Sequence, residues 1–329
     1  MVYGYLSALR FRAALATAVL TAMSAPSIAQ TAEEAASQEL GEVIVTAERR
    51  ESNLQDVPAS ATVLTAELLA AQGVDNVIEI QTAAPSVAIN TYNRSTFINI
   101  RGVGIAQSAP TSNPGVAYYI DGMFIPHEQF IAQTFFDIES IEVLRGPQGT
   151  LTGQNSTGGA IYVRTPRPNF DGVSGYIDQT VADSDWYRTT AAVNVPFGEK
   201  FAMRVSGVYD DRGSFTDNIG PSPSDPGSGT DTAGRVALRY QPTDRMTFDL
   251  RYEHFDRQTD YNAIKNRNDA VTSDPFTIEE DAISFLDQKG DRASLEARFD
   301  LTSALAVSHC YPAIRSTPSR TLVRSPAAS

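Results

Sequence analysis

The chain of 329 residues is long enough for two domains, and its 42% hydrophobic content is that of an ordinary folded protein. A formal net charge of -13 repels a phosphate backbone and argues against a nucleic-acid partner. The single cysteine, Cys310, excludes an internal disulfide; His127, His254 and His309 lack metal-ligand spacing, so neither a metal nor another cofactor is expected.

The chain opens with an address. Arg10 and Arg12 precede the apolar run "AALATAVLTAMSA", and Ser27 and Ala29 stand at the -3 and -1 positions of a cleavage site. Residues 1–29 therefore read as an export signal, too short to span a bilayer in the mature protein. Residues 30–40, "QTAEEAASQEL", are small, polar and acidic and are expected to be disordered. Next comes "GEVIVTAERR", where Val43, Ile44 and Val45 are β-prone within a flexible leader of 30–52. Such a run suits either a β-augmentation ligand or the first strand of the next domain.

From 53 to 170 the pattern is α+β. "SATVLT" reads as a strand, and "AELLAAQG" as a helix opened by Thr65, with Glu67 in its first turn and Gly73 closing it. "VDNVIEIQTAAP" reads as a second helix capped by Asp75 and ended by Pro85. Strands follow at "FINIRG", "VAYYIDGMFI", "IESIEVLRG" and "AIYVRT", separated by turn residues. The glycines of "GPQGTLTGQNSTGG" invite a nucleotide-site reading. That reading fails, because this stretch lacks the Gly-Lys-Ser/Thr ending, and "RGVGIAQ" lacks the third glycine of a dinucleotide fingerprint.

From 171 to 301 the sequence alternates strictly. Met246, Phe248, Leu250 and Tyr252 share one face, while Thr247, Asp249, Arg251 and Glu253 share the other. Six strands are legible, near 173–182, 186–196, 201–211, 232–241, 245–256 and 291–300. Full charges on the polar face, aromatics near strand ends, and short turns alternating with long polar connections are the marks of a transmembrane antiparallel barrel. Only the first connection, "DSD", is shorter than that pattern suggests. The competing reading is a secreted soluble binding protein with an α+β domain and a small β sandwich. No Ser/His/Asp order or paired carboxylates in a credible loop suggest an enzyme.

With these motifs in place, the chain resembles the N-terminal part of TonB-dependent outer-membrane receptors of Gram-negative bacteria. "EVIVTA", Glu42, Val43, Ile44, Val45, Thr46 and Ala47, is similar to the Ton box. "INIRGVG", "VAYYIDGMFI" and "IESIEVLRGPQGTLTGQNSTGGAIYVRTP" are similar to plug-domain motifs, through Arg101, Gly102, Asp121, Gly122, Arg145, Gly146, Pro147, Gly149, Gly153, Gly158 and Gly159. The resemblance implies a plug inside a barrel of roughly 22 strands, of which six are present. It also implies energising contact with the TonB complex of the inner membrane, a lipid-covered barrel wall, and import of a scarce nutrient such as a ferric siderophore. Arg101 and Arg145 are expected to pair with acids of the lumen wall, and the plug glycines to pass close against that wall. Residues 104–115 and 126–136 are expected to face outward, with His127, Gln129 and Phe130 as candidate ligand contacts or wall-packing residues.

The last stretch departs from the family. No Asp or Glu follows Asp300, and "HCYPAIRSTPSRTLVRSPAAS" lacks alternation. Residues 302–329 are therefore expected to lie outside the barrel, as the product of a reading-frame change near Leu305 or, alternatively, as a divergent loop with a genuine terminus. Six strands alone would leave an open sheet, so this chain is not expected to transport by itself.

Overall fold

The computed structural model describes residues 44–45, 52–53, 60–92, 95–104, 114–126, 131, 134–149, 155–222, 225–260, 272–280, 283–302, 305–316 and 320–324. The export signal, the acidic leader, Glu42, Val43, Thr46, Ala47, His127, Gln129, Phe130 and Gly153 lie outside these residues. Two short strands come first, β1 (Ile44–Val45) and β2 (Ser52–Asn53), paired antiparallel with Ile44 opposite Asn53. Of the run read as either a β-augmentation ligand or a first strand, Ile44 and Val45 pair within their own chain.

The plug begins at β3 (Ser60–Thr65) and helix α1 (Ala66–Gln72). Thr65 Oγ1 accepts the Leu68 N–H, and Gly73 closes the helix at φ 63°, as the sequence predicts. The second helix is shorter than expected. Only Ile80–Ala83 (α2) is helical, and Asp75 is not its cap. Instead Asn76 Oδ1 accepts the N–H groups of Ile78 and Glu79, while Glu79 Oε2 accepts those of Asp75 and Asn76. This exchange satisfies the free donors in a turn, so helix is unnecessary there.

A three-stranded antiparallel sheet follows, β4 (Val87–Tyr92), β5 (Ser95–Ile100) and β6 (Val103–Gly104). The remaining plug strands are β7 (Val116–Ile120), β8 (Met123–Phe124), β9 (Ser140–Arg145) and β10 (Gly159–Arg164). With β3 they form a five-stranded sheet in the order β3-β9-β10-β7-β8, parallel only between β10 and β7. Val77, Ile80, Ile100, Ile141 and Ile161 are fully buried between these layers, each contributing about 1.5–3 kcal/mol.

Gly159 sits at φ 146°, and a Cβ there would stand 2.3 Å from the Leu144 carbonyl oxygen and 2.9 Å from Ile100 Cδ1. Gly158 would meet Val103 at 2.7 Å. The crowding therefore comes from the plug's own strands, not from the barrel wall as the family resemblance suggested. Gly146 needs its φ of 92° but has open space around it, and Gly149 shows neither constraint. Gly159→Ala is expected to destabilise the plug by roughly 3 kcal/mol or more, read as a lower urea midpoint; Gly149→Ala should stay within about 0.5 kcal/mol.

Residues 171 onward build one antiparallel sheet: β11 (Ser174–Ala182), β12 (Trp186–Phe197), β13 (Phe201–Arg212), β15 (Gly229–Thr243), β16 (Met246–Asp260) and β18 (Ile283–Thr302). Two-residue strands β14 (Asp217–Asn218) and β17 (Thr277–Ile278) lie in the long connections. Burial is inverted relative to a soluble protein. Leu250 and Tyr252 are 44% and 47% exposed, whereas Arg251 and Glu253 between and beside them are 6% and 5% exposed. A soluble sandwich would bury the apolar face, so that alternative fails. Phe197–Phe201, Tyr240–Phe248 and Phe248–Phe299 ring contacts gather aromatics at the short-turn end of the outward face, as an interfacial girdle requires. Among the described residues no helix is long and apolar enough to cross a membrane.

The tail corrects the sequence reading. Leu305–Ser316 (β19) pairs along β18 from Thr302 to Gly290, and Arg320–Arg324 (β20) pairs with Asp287 to Ile283 of the same strand. Pairing uses backbone groups on the free edge of β18, so it needs no side-chain alternation.

Candidate functional site: the seam between plug and wall

The polar face of the sheet meets the plug along a row of arginines. Arg204 on β13 forks onto Asp137, with Nε to Oδ2 at 2.8 Å and Nη2 to Oδ1 at 2.5 Å. The Asp137 carboxylate is buried and its backbone adopts φ 49°, a conformation a short polar side chain tolerates. Arg235 on β15 donates to the Asp137 carbonyl at 3.2 Å and to Glu253 Oε2 at 2.9 Å, and its guanidinium lies 4.4 Å over the Phe136 ring. Arg188 on β12 donates to the Phe135 carbonyl and pairs with Asp210 at 2.9 Å and Asp75 at 3.4 Å. Thr134 Oγ1 donates to Asp231 Oδ2 at 2.6 Å. Residues 134–137 are thus held by three wall strands, β12, β13 and β15, with Glu253 of β16 bracing Arg235. Phe135 and Phe136, read from sequence as part of an outward loop, are buried here.

A second grip lies at the Asp121–Gly122 turn, where φ values of 48° and 79° join β7 to β8. An Asp-Gly pair is suited to such a two-residue hairpin. Asp121 accepts from the Thr165 N–H at 2.9 Å and the Thr165 hydroxyl at 2.8 Å, and faces Arg251 Nε at 3.7 Å. Burial pushes the Asp121 carboxyl up, but Arg251, Arg235 and the two Thr165 bonds outweigh it and hold it below the ordinary carboxylate value. Beyond the plug, Arg167 reaches Glu296 at 3.3 Å and Asp249 at 3.9 Å, fixing the linker into the wall.

Arg101 and Arg145 do something else. Among the described residues, Arg145 donates to Thr62 Oγ1 at 2.6 Å, to Ser86 Oγ at 3.1 Å and to the Pro85 carbonyl at 3.1 Å, and Arg101 donates to Ser60 Oγ at 3.3 Å. Burial, and then the neighbouring Arg101 charge, pull the Arg145 pKa down. These two tie plug segments to each other and do not reach wall acids as expected. The polarity of the seam is reversed: the wall supplies the arginines and the plug supplies the acids and carbonyls. Partners from 53 to 130 positions apart form it, and no local motif marks them. Among the described residues no three His, Cys, Asp or Glu gather as a metal site.

Comparison with known proteins places this architecture. Residues 53–160 match the family model described as the TonB-dependent Receptor Plug Domain. The chain is 32% identical over 228 residues to the pesticin receptor of Yersinia pestis, covering 67% of this chain and 32% of that receptor. It is 26% identical over 163 residues to the ferrioxamine B receptor of Salmonella typhimurium, covering 46% and 22%. Among solved structures, the ferric yersiniabactin uptake receptor FyuA from Yersinia pestis is 25% identical with a TM-score of 0.67, over 74% of this chain and 39% of that one. The alcaligin outer-membrane receptor FauA from Bordetella pertussis shares the fold at 15% identity and a TM-score of 0.64, over 86% and 43%. The chain therefore spans about a third of the length of the first of these curated relatives.

Proposed function

Since the chain belongs to the TonB-dependent outer-membrane receptor family, we propose that it serves in the active uptake of a ferric siderophore across the outer membrane of a Gram-negative cell. The carrying observation is a plug gripped by wall arginines inside a sheet whose apolar face points outward. A gripped plug blocks passive flow, so entry needs an external input of work. The residues that receive it in this reading are Glu42–Ala47, offered to the TonB complex as an added strand. Ile44 and Val45 pair over only two residues with Asn53 and Ser52, so exchanging that pairing for one with a partner costs little. Transport is proposed for the closed barrel of the whole receptor; β11 and β19 do not pair with each other in the sheet described. The metal enters as cargo within its chelate, not as a resident cofactor.

Ile44→Pro removes a backbone donor and fixes φ, which an added strand cannot accommodate. Energised uptake of radiolabelled ferric chelate is expected to fall by about ten-fold or more, the equivalent of one or two lost hydrogen bonds, while the amount of protein in the outer membrane holds. Unchanged uptake would remove the Ton-box assignment.

A further inference from the structure

The two long connections of the barrel are joined to each other. β14 and β17 pair in parallel, Asp217 opposite Thr277 and Asn218 opposite Ile278. The junction continues through Ile219 N–H to the Ile278 carbonyl at 2.9 Å and Ser222 N–H to the Glu280 carbonyl at 3.1 Å. Asn218 Oδ1 accepts from Gly220 and Glu280 together, at 3.0 and 2.9 Å. Gly220 lies so close that a Cβ would stand 2.2 Å from the Glu280 carbonyl oxygen. One side of this small ribbon, with Thr216, Ser222 and Ile278, is buried. The other side presents Phe215 at 65% and Ile219 at 56% exposure, with exposed Asp217 between them and exposed Glu279 directly after the partner strand. Exposed large apolar side chains on a braced ledge mark a contact surface.

The charge of that end of the barrel decides what the surface takes. The described residues of the connections there, 183–185, 213–222, 225–228 and 272–280, hold seven acids and no bases. The opposite turns, 198–200 and 244–245, hold Glu199 with Lys200 and Asp244 with Arg245, and are neutral. Among the described residues of the two joined connections, none is Lys, Arg or His. A field of one sign over a mouth with low-dielectric walls concentrates ligands of the opposite sign and turns away those of its own.

We infer that the chelate received here is cationic and carries an apolar arm, the arm lying on Phe215 and Ile219 and the charge facing Asp217 and Glu279. This rests on the receptor reading above. The trianionic class of iron chelates is disfavoured by the same field. The test compares uptake of radioactive iron, by the receptor in its native membrane, from a monocationic tris-hydroxamate chelate with a pendant ammonium and from a trianionic tris-catecholate chelate. The cationic chelate is expected to half-saturate uptake at about ten-fold lower concentration, with an advantage that shrinks as salt is raised. Asp217→Asn with Glu279→Gln should raise its half-saturation concentration several-fold and flatten the salt dependence; Phe215→Ala with Ile219→Ala should raise it without touching the salt dependence. Uptake confined to the trianionic chelate, or an unaltered half-saturation in both double variants, overturns the charge assignment and leaves the receptor reading standing. If neither chelate enters and Ile44→Pro changes nothing, both fall.

Discussion

Replacing Arg204 with alanine is expected to loosen the plug by about 3–5 kcal/mol, the cost of leaving a buried carboxylate without its partner. The Asp137 side chain is 3% exposed and receives both arms of the fork. No neighbour can take over the role. Arg235 is committed to Glu253 and to the Asp137 carbonyl, and the Tyr176 hydroxyl stands at 3.4 Å, too far for a strong bond. In detergent-solubilised protein the plug should release at lower urea concentration and become accessible to protease while the barrel strands persist. Adding Asp137→Asn to Arg204→Ala should recover part of the loss, because a neutral amide carries a smaller desolvation penalty and still tolerates positive φ. An identical urea midpoint for wild type and Arg204→Ala would show that the fork does not hold the plug.

Introducing arginine at Leu250 is the second large effect. Leu250 lies on the outward face of β16, between Phe248 of the lower aromatic group and Tyr252. If lipid covers that face, a guanidinium near the bilayer midplane costs about 2–4 kcal/mol, and the amount assembled in outer membranes drops. If water covers it, a residue already 44% exposed accepts arginine within about 0.5 kcal/mol. Gln258, exposed on the same strand toward the long connections, provides the comparison: arginine there should be silent in either case. Equal assembly of Leu250→Arg and Gln258→Arg would show that the ribbon faces solvent.

How much of this was readable depended on how local each cause is. Thr65, Gly73 and the alternation of 246–253 act over a few residues, so α1 and most of the barrel strands could be placed to within a few positions, although β18 starts at Ile283, eight residues before the 291 read from sequence. The second helix failed because Asn76 and Glu79 satisfy each other's neighbours, a matter of side-chain geometry that helical spacing does not encode. β4 went unread since "VAINTY" mixes polar and apolar residues and becomes a strand through pairing with β5. The tail strand β19 was missed for the same reason: a free edge imposes pairing on a sequence without alternation. The seam was the least legible part. Arg188, Arg204 and Arg235 read simply as the wet side of a barrel, and Thr134–Asp137 as loop, until folding brought them together. Two adjacent phenylalanines inside a supposed outward loop were the one available signal, since a solvated loop seldom carries both.

Two of the three arginines in that seam take hold of main-chain oxygens, those of Phe135 and Asp137. Every amino acid has such an oxygen, so the grip there is blind to which side chains the insert carries. The wall can keep its hold while 135 and 136 drift to other bulky residues, and only the carboxylate at 137 is read as chemistry. A foreign insert would therefore need little more than the same loop path and one aspartate at 135–137, while the anchors at Thr134, Asp75 and Asp121 would still have to be matched by side chain.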